Sequence, residues 1–278
     1  MALNLDQVGS KTEPIPFTYD QDKLILYALG IGAGVDELDF VYEKNLKVFP
    51  TFAVIPIVPA IIKLMGRAGI NLPTVLHGEQ RIALHRTIPT SGTIHTTGTW
   101  SSVYDKGDKG AVLNMDFATT GPDGQPLFEN TVVLMDRSAG NFDGDRGPKT
   151  ERFDPPEGKS PDFSVQEATS PDQAALYRLN GDKNPLHIDP DFAKMGGLDR
   201  PILHGLCTFG FAGRAILEKV CGGDPARFKS FAVRFMGPVY PGETLITEGW
   251  KSEGGAYIIR TRTGDGRVVL GNAVAEIG

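Results

Sequence analysis

The chain has 278 residues, 40% hydrophobic and 22% charged, an ordinary globular mix that suits one large domain or two small ones. The net charge of −6 contains no block of like charge, so nothing favours a nucleic acid or an anionic membrane surface. The most apolar run, Phe52 to Met65, is broken by Pro56, Pro59 and Lys63 and is read as no bilayer span.

In chain order, a short helix is predicted over Asp20 to Leu29. Gly30-x-Gly32-x-Gly34 follows it. This run comes after helix-like sequence and lacks the Gly-x-Gly-x-x-Gly spacing, so a dinucleotide site is set aside. A long apolar helix is expected around Thr51 to Arg67. The stretch Gly140 to Gly158 is dense in Gly, Pro and charge, which suits an exposed linker. A second short helix runs from Ser170 to Leu179, with Ser170 as N-cap and Pro171 at the first helical position. The segment around His204 to Val220 is apolar on nearly all sides and is predicted to be a buried helix. It holds Cys207 with Cys221 just beyond; lacking zinc-ligand spacing, both are read as reduced, buried thiols. Strands are predicted over Lys229 to Met236, Leu245 to Ser252, Ala256 to Thr263 and Val268 to Ile277.

The chain also repeats itself. Tyr27-x-Leu29 returns as Tyr177-x-Leu179, Tyr42 as Phe192, and Gly92 as Gly242, each 150 residues later. Pro50 matches Pro201 at nearly the same offset. Two related halves follow, 1–148 and 149–278, each a helix and then an antiparallel meander, an α+β plan.

Chemistry concentrates between Asn180 and His187. Pro185 holds Asn184 out of helical space and forces the preceding helix to end. That leaves the carboxylate of Asp182 and the imidazole of His187 in one rigid loop. Two such groups held together are what adding or removing water requires. Further on, Gly205 opens the buried helix. Free amides at a helix start point outward, and without a side chain its N–H is open to a substrate oxygen. A metal reading of His187-x-Asp189-x-Asp191 fails for want of further ligands, and Asp189 is expected to fix the loop instead. By the 150-residue offset, Gly32 and Glu37 occupy the places of Asp182 and His187.

The run Tyr-x-Leu-x-Gly-Asp-x-Asn-Pro-x-His (Tyr177 to His187) and then Arg-Pro-x-x-His-Gly (Arg200 to Gly205) resembles the motif of the MaoC-like hydratase 2 family. Phe40 to Glu43, Phe49 to Phe52, His77 to Gln80, Tyr104 to Gly107 and Gly140 to Gly144 resemble its non-catalytic first half. The resemblance implies a double hot-dog fold, in which each half is a long helix wrapped by a curved antiparallel sheet. It implies a catalytic domain at 149–278 and a domain at 1–148 that accommodates an acyl chain. It also implies an (R)-specific hydration of trans-2-enoyl-CoA by Asp182 and His187, with Asn184 orienting them and Gly205 holding the thioester oxygen. Acyl-CoA contacts are implied at His77, Gly78, Lys106, Lys183, Pro185, Leu186 and Phe235 as well as in the catalytic group. No cofactor or metal is expected, and a homodimer is. His204 is read as packing or capping, and Glu43 as structural. The N-terminus lacks a basic-then-apolar leader and Glu276-Ile277-Gly278 is not a peroxisomal address, so a cytoplasmic location is expected. A thioesterase on the same fold and a non-catalytic acyl-CoA-binding subunit are the competing readings.

Overall fold

The computed structural model describes residues 3–70, 75–149, 151–252 and 254–278. The first half runs β1 (Ile15–Tyr19), α1 (Gln21–Gly30), α2 (Leu38–Val41), a 3-10 turn (Pro50–Val54), α3 (Val58–Ala68), β2 (Val75–Leu84), β3 (Gly92–Asp105), β4 (Ala111–Thr120) and β5 (Pro126–Asp136). The second half repeats the order with β6 (Phe163–Ala168), α4 (Gln173–Tyr177), α5 (Pro190–Met195), α6 (Gly205–Lys219), β7 (Phe228–Phe235), β8 (Thr244–Lys251), β9 (Tyr257–Thr263) and β10 (Val268–Ile277).

Strand order makes the duplication explicit. The first half is ordered 1-3-4-5-2 and the second 6-8-9-10-7, the same pattern, with antiparallel pairing throughout. β2 and β7 then pair with each other, from Glu79 opposite Arg234 to Ala83 opposite Ser230. The two expected sheets are therefore one continuous ten-stranded sheet. Strand alternation builds its inner face: Ala111, Leu113, Met115 and Phe117 of β4 are buried in turn, as a side-chain period of two requires.

α6 is the central helix of the second half. Every residue from Cys207 to Leu217 is buried. Two of its glycines give it close contact with the first half: a Cβ on Gly210 would lie 2.3 Å from Ile31, and one on Gly213 would lie 2.4 Å from Thr51.

The first-half counterpart departs from the single long helix predicted over Thr51 to Arg67. It is a 3-10 turn followed by the shorter α3. Pro56 and Pro59 explain the break, since each removes a helical N–H donor and crowds the preceding turn. Contrary to the sequence reading, Pro50–Ala68 is long and apolar enough to pass for a membrane span; its most apolar 18-residue window is 56% buried inside the protein, so the core accounts for its apolar character. At the start of the second half, the helix takes Asp172 as its N-cap and not Ser170 as predicted, because Pro171 and Asp172 form a turn that follows Ser170. The Ser170 hydroxyl accepts the Asp172 N–H at 3.1 Å, and Gln173 Oε1 accepts the Ser170 N–H at 3.2 Å, which holds this turn against the first helical residue. Regular helix begins only at Gln173, whose Nε2 also donates to the Gly30 carbonyl at 2.7 Å and so ties the halves together.

Candidate active site

The loop from Asn180 to Phe192 is held by three successive side-chain caps. Asp182 Oδ1 accepts the Asn184 N–H at 3.0 Å. Asn184 Oδ1 accepts the Leu186 N–H at 3.0 Å, with Pro185 opening a 3-10 turn that ends at His187. Asp189 Oδ1 accepts the N–H groups of Asp191 and Phe192, with Pro190 opening α5. Asx caps followed by proline fix the backbone locally, so side chains in this loop are aimed before any ligand arrives. Asn184 therefore orients the loop through its cap, and Asp189 fixes it as expected.

The caps bring Asp182 and His187 together with a third group, His204. One ligand atom from each lies within 4.8 Å of the others. His187 is 8% exposed, and its Nδ1 lies 2.9 Å from the Ile202 carbonyl. A carbonyl only accepts, so Nδ1 carries the proton and Nε2 presents a lone pair. Burial lowers the pKa of His187 below the usual imidazole range, against the opposing pull of Asp182. His204 stacks on it, with ring centroids 3.7 Å apart and planes 26° apart. Rings so nearly parallel cannot both aim in-plane lone pairs at one ion, which argues against a tetrahedral metal centre here. The cluster is built for handling protons.

A second side of the site comes across the β2–β7 seam. His77 and Gly78 sit at a β-bulge, where the pairing of β2 with β5 shifts register between His77 and Glu79. Such a bulge re-aims the side chain beside it. The His77 ring meets Phe235 edge-on at 4.9 Å, and its Nε2 donates to the Glu79 carbonyl at 3.1 Å. Its pKa falls to about 4, chiefly through burial, while Asp182 pulls it the other way. Phe235 in turn faces Gly205: a Cβ there would lie 3.1 Å from the ring. The Gly205 N–H opens α6 and has no acceptor among the described residues, as expected of an orphan helix-start amide.

The structure thus gathers Asp182, His187, Gly205, Phe235 and His77 around one place, with Leu186 half-buried and Lys183, Asn184 and Pro185 exposed on the loop. Lys106 is engaged elsewhere. Its Nζ donates to the Arg146 carbonyl and lies 5.6 Å from the Tyr104 ring centre. Glu43 is exposed in a turn. Of the two roles read for His204, the structure shows the packing, on His187, and no cap bond; Tyr177, to which no role was given, has its ring 4.9 Å from that of His204. Both stand inside the motif already singled out, so the signal was present.

The loop at Gly32 and Glu37 borders a recess of about 490 Å³ lined also by Asp36, Glu167, Arg214 and Glu218. Arg214, 9% exposed, donates to Glu37, to Glu167 at 2.8 Å and to the Ile31 carbonyl at 3.0 Å. Carboxylates dominate this recess, which suits no acyl chain.

Comparison with known proteins agrees with this arrangement. The family model for a MaoC like domain matches residues 152–272, and that for an MFE-2 hydratase 2 N-terminal domain matches residues 17–138. A protein of Dictyostelium discoideum named probable enoyl-CoA hydratase 2 is 41% identical over 97% of this chain and 95% of its own length. The chain belongs to the enoyl-CoA hydratase 2 family. The peroxisomal multifunctional enzyme type 2 of Mus musculus is 40% identical over 97% of this chain, which corresponds to 38% of that longer protein. Among solved structures, a MaoC-like dehydratase from Phytophthora capsici superposes with a TM-score of 0.89 at 33% identity, covering 99% of this chain and 98% of that one. Within the hydratase 2 family, the double hot-dog fold implied by the motif is the fold found here.

Proposed function

We propose that this protein is an (R)-specific 2-enoyl-CoA hydratase that adds water reversibly to trans-2-enoyl-CoA and gives (3R)-3-hydroxyacyl-CoA. One observation carries the reading: an atom of Asp182 and a ring nitrogen of His187 stand within 4.8 Å of one another, and Gly205, next in sequence to the His204 ring stacked on His187, has an N–H with no acceptor among the described residues. The thioester oxygen accepts that N–H, which draws charge from the double bond and makes C3 electrophilic. A donor so placed is worth roughly 3–4 kcal/mol where charge builds up. In this reading one water is held between Asp182 and His187. The pair takes one proton from it as its oxygen bonds to C3, and returns one proton to C2, so the elements of one water are added. The step is redox-neutral and calls for no electron carrier. The chemistry belongs to 149–278, while 1–148 contributes His77 and Gly78 and makes room for the acyl chain. The same reading carries a homodimer, which light scattering tests.

A thioesterase would cleave the C–S bond and release free CoA. A binding subunit would hold acyl-CoA without turnover. Incubation with trans-2-decenoyl-CoA separates all three readings. Loss of the conjugated enoyl absorbance with a (3R)-hydroxy product, abolished in a folded Asp182→Asn variant, supports hydration. Free CoA supports the thioesterase, and binding without turnover supports the subunit.

A further inference from the structure

His204 is the N-cap residue of α6, yet its side chain makes no cap bond to the helix. It points back at the loop instead. Its Nε2 lies 3.3 Å from the Asp182 carbonyl oxygen, 22 residues earlier. His204 is 1% exposed; its ring meets Tyr177, tilted, at 4.9 Å and stacks on His187 at 3.7 Å. Tyr177 is backed by Tyr27 at 6.3 Å, and Tyr27 by Phe52 at 5.5 Å. A chain of ring contacts therefore links the first half of the chain to His187.

We propose that His204 is a positioning residue for the hydration: it fixes the plane of the His187 ring by stacking and the depth of Asp182 by holding its backbone carbonyl. This rests on the hydratase reading above. A single side chain must offer a flat face to one partner and an N–H to the other. Phenylalanine supplies only the face, and asparagine only the N–H. The lone pair of His187 Nε2 and the carboxylate of Asp182 must meet the same water, and misplacement by about an ångström costs up to roughly a hundredfold in rate. The Ile202 carbonyl fixes which nitrogen of His187 is protonated, while His204 fixes where the other one points.

His204 is buried among other titratable groups. Burial first, then the neighbouring His187 and Arg178, lower its pKa to about 3, against the pull of Asp182. The polar groups around the stack are Asp182 on the loop, Arg178 and Tyr177 on the preceding helix, and His77 across the seam, which itself feels Asp182.

Two variants separate the two functions. His204→Phe keeps the stack and loses the N–H; His204→Asn keeps an N–H and loses the stack. Each is expected to lower kcat by at least about tenfold with KM changed less than about threefold. In His204→Asn, His187 gains water, and its titration and the acidic limb of the rate profile move up toward the ordinary imidazole range. In His204→Phe that limb stays in place. Imidazole nitrogen NMR of His187 reads its tautomer and titration without any turnover. If the wild type fails to hydrate enoyl-CoA, the hydratase reading falls, while a His187 titration that moves in His204→Asn still supports the positioning. Folded variants with wild-type kcat and unchanged His187 spectra would overturn the inference. So would losses of rate that follow thermal stability alone.

Discussion

Two loops of this chain descend from one pattern and have taken opposite paths. In the second half, Asp182 Oδ2 and His187 Nε2 have no hydrogen-bond partner among the described residues, while caps and stacked rings hold the groups in place. In the first half, Gly32 and Glu37 stand at the corresponding positions. Gly32 has a φ of 85°, and a Cβ there would lie 2.4 Å from the Phe211 ring. Glu37 is bound to the buried Arg214. Chemistry requires groups that the fold leaves unsatisfied, and such groups cost stability. The duplication allows one loop to bear that cost and the other to be closed by a ring and an ion pair.

Breaking this comparison should have unequal effects. The largest is on rate. Asp182→Asn or His187→Gln is expected to lower turnover by roughly 10²–10⁴-fold with little change in melting temperature, whereas Glu37→Gln leaves turnover near wild type. Enoyl-CoA hydration assays and calorimetry on the three proteins check this. A Glu37→Gln protein as inactive as Asp182→Asn would put the site in both halves.

Next is an attempt to restore the lost loop. Gly32→Asp with Glu37→His places a side chain where the φ is left-handed and Phe211 fills the space. A destabilisation of about 3 kcal/mol or more is expected from backbone strain and overpacking together, with no gain in activity. Denaturant midpoints read the cost. Arg214→Met should cost about 3 kcal/mol, near the low end for breaking a buried pair, because Glu37 and Glu167 keep some water. A neutral result would show that the lock contributes no stability.

The most gradual effect concerns acid. His187, His204 and His77 all have pKa values lowered by burial, His77 to about 4 and His204 to about 3. The unfolded chain then binds more protons below about pH 6.5, so stability is full above that value and declines as pH falls through it toward the folded pKa values. The rate should hold below the usual imidazole range, because His187 stays neutral there. Urea titrations and rate profiles between pH 4 and 8, values spanning about the range in which histidines titrate, test both statements.

Much of this was legible in the amino-acid order. The repeated Tyr-x-Leu and the 150-residue offset located both halves, and proline at 185 required the loop that holds Asp182 and His187. What stayed hidden depends on contacts distant in sequence. Nothing local at His204 shows that its ring will lie on His187. Nothing at Arg214 shows that it will meet Glu37, 177 residues earlier. The break between Pro50 and Ala68 was written in Pro56 and Pro59, but the length of the apolar run outweighed them.

The joining of β2 to β7 also bears on how the chain reaches this state. Arg234 must find Glu79 across a separation of 155 residues. Each half can close its own hairpins early, since their partners are near in sequence. Closing the shared sheet, and with it the wall that carries His77 beside Phe235, belongs to the slow, long-range phase of folding. Assembly of the complete pocket therefore comes after synthesis of nearly the whole chain.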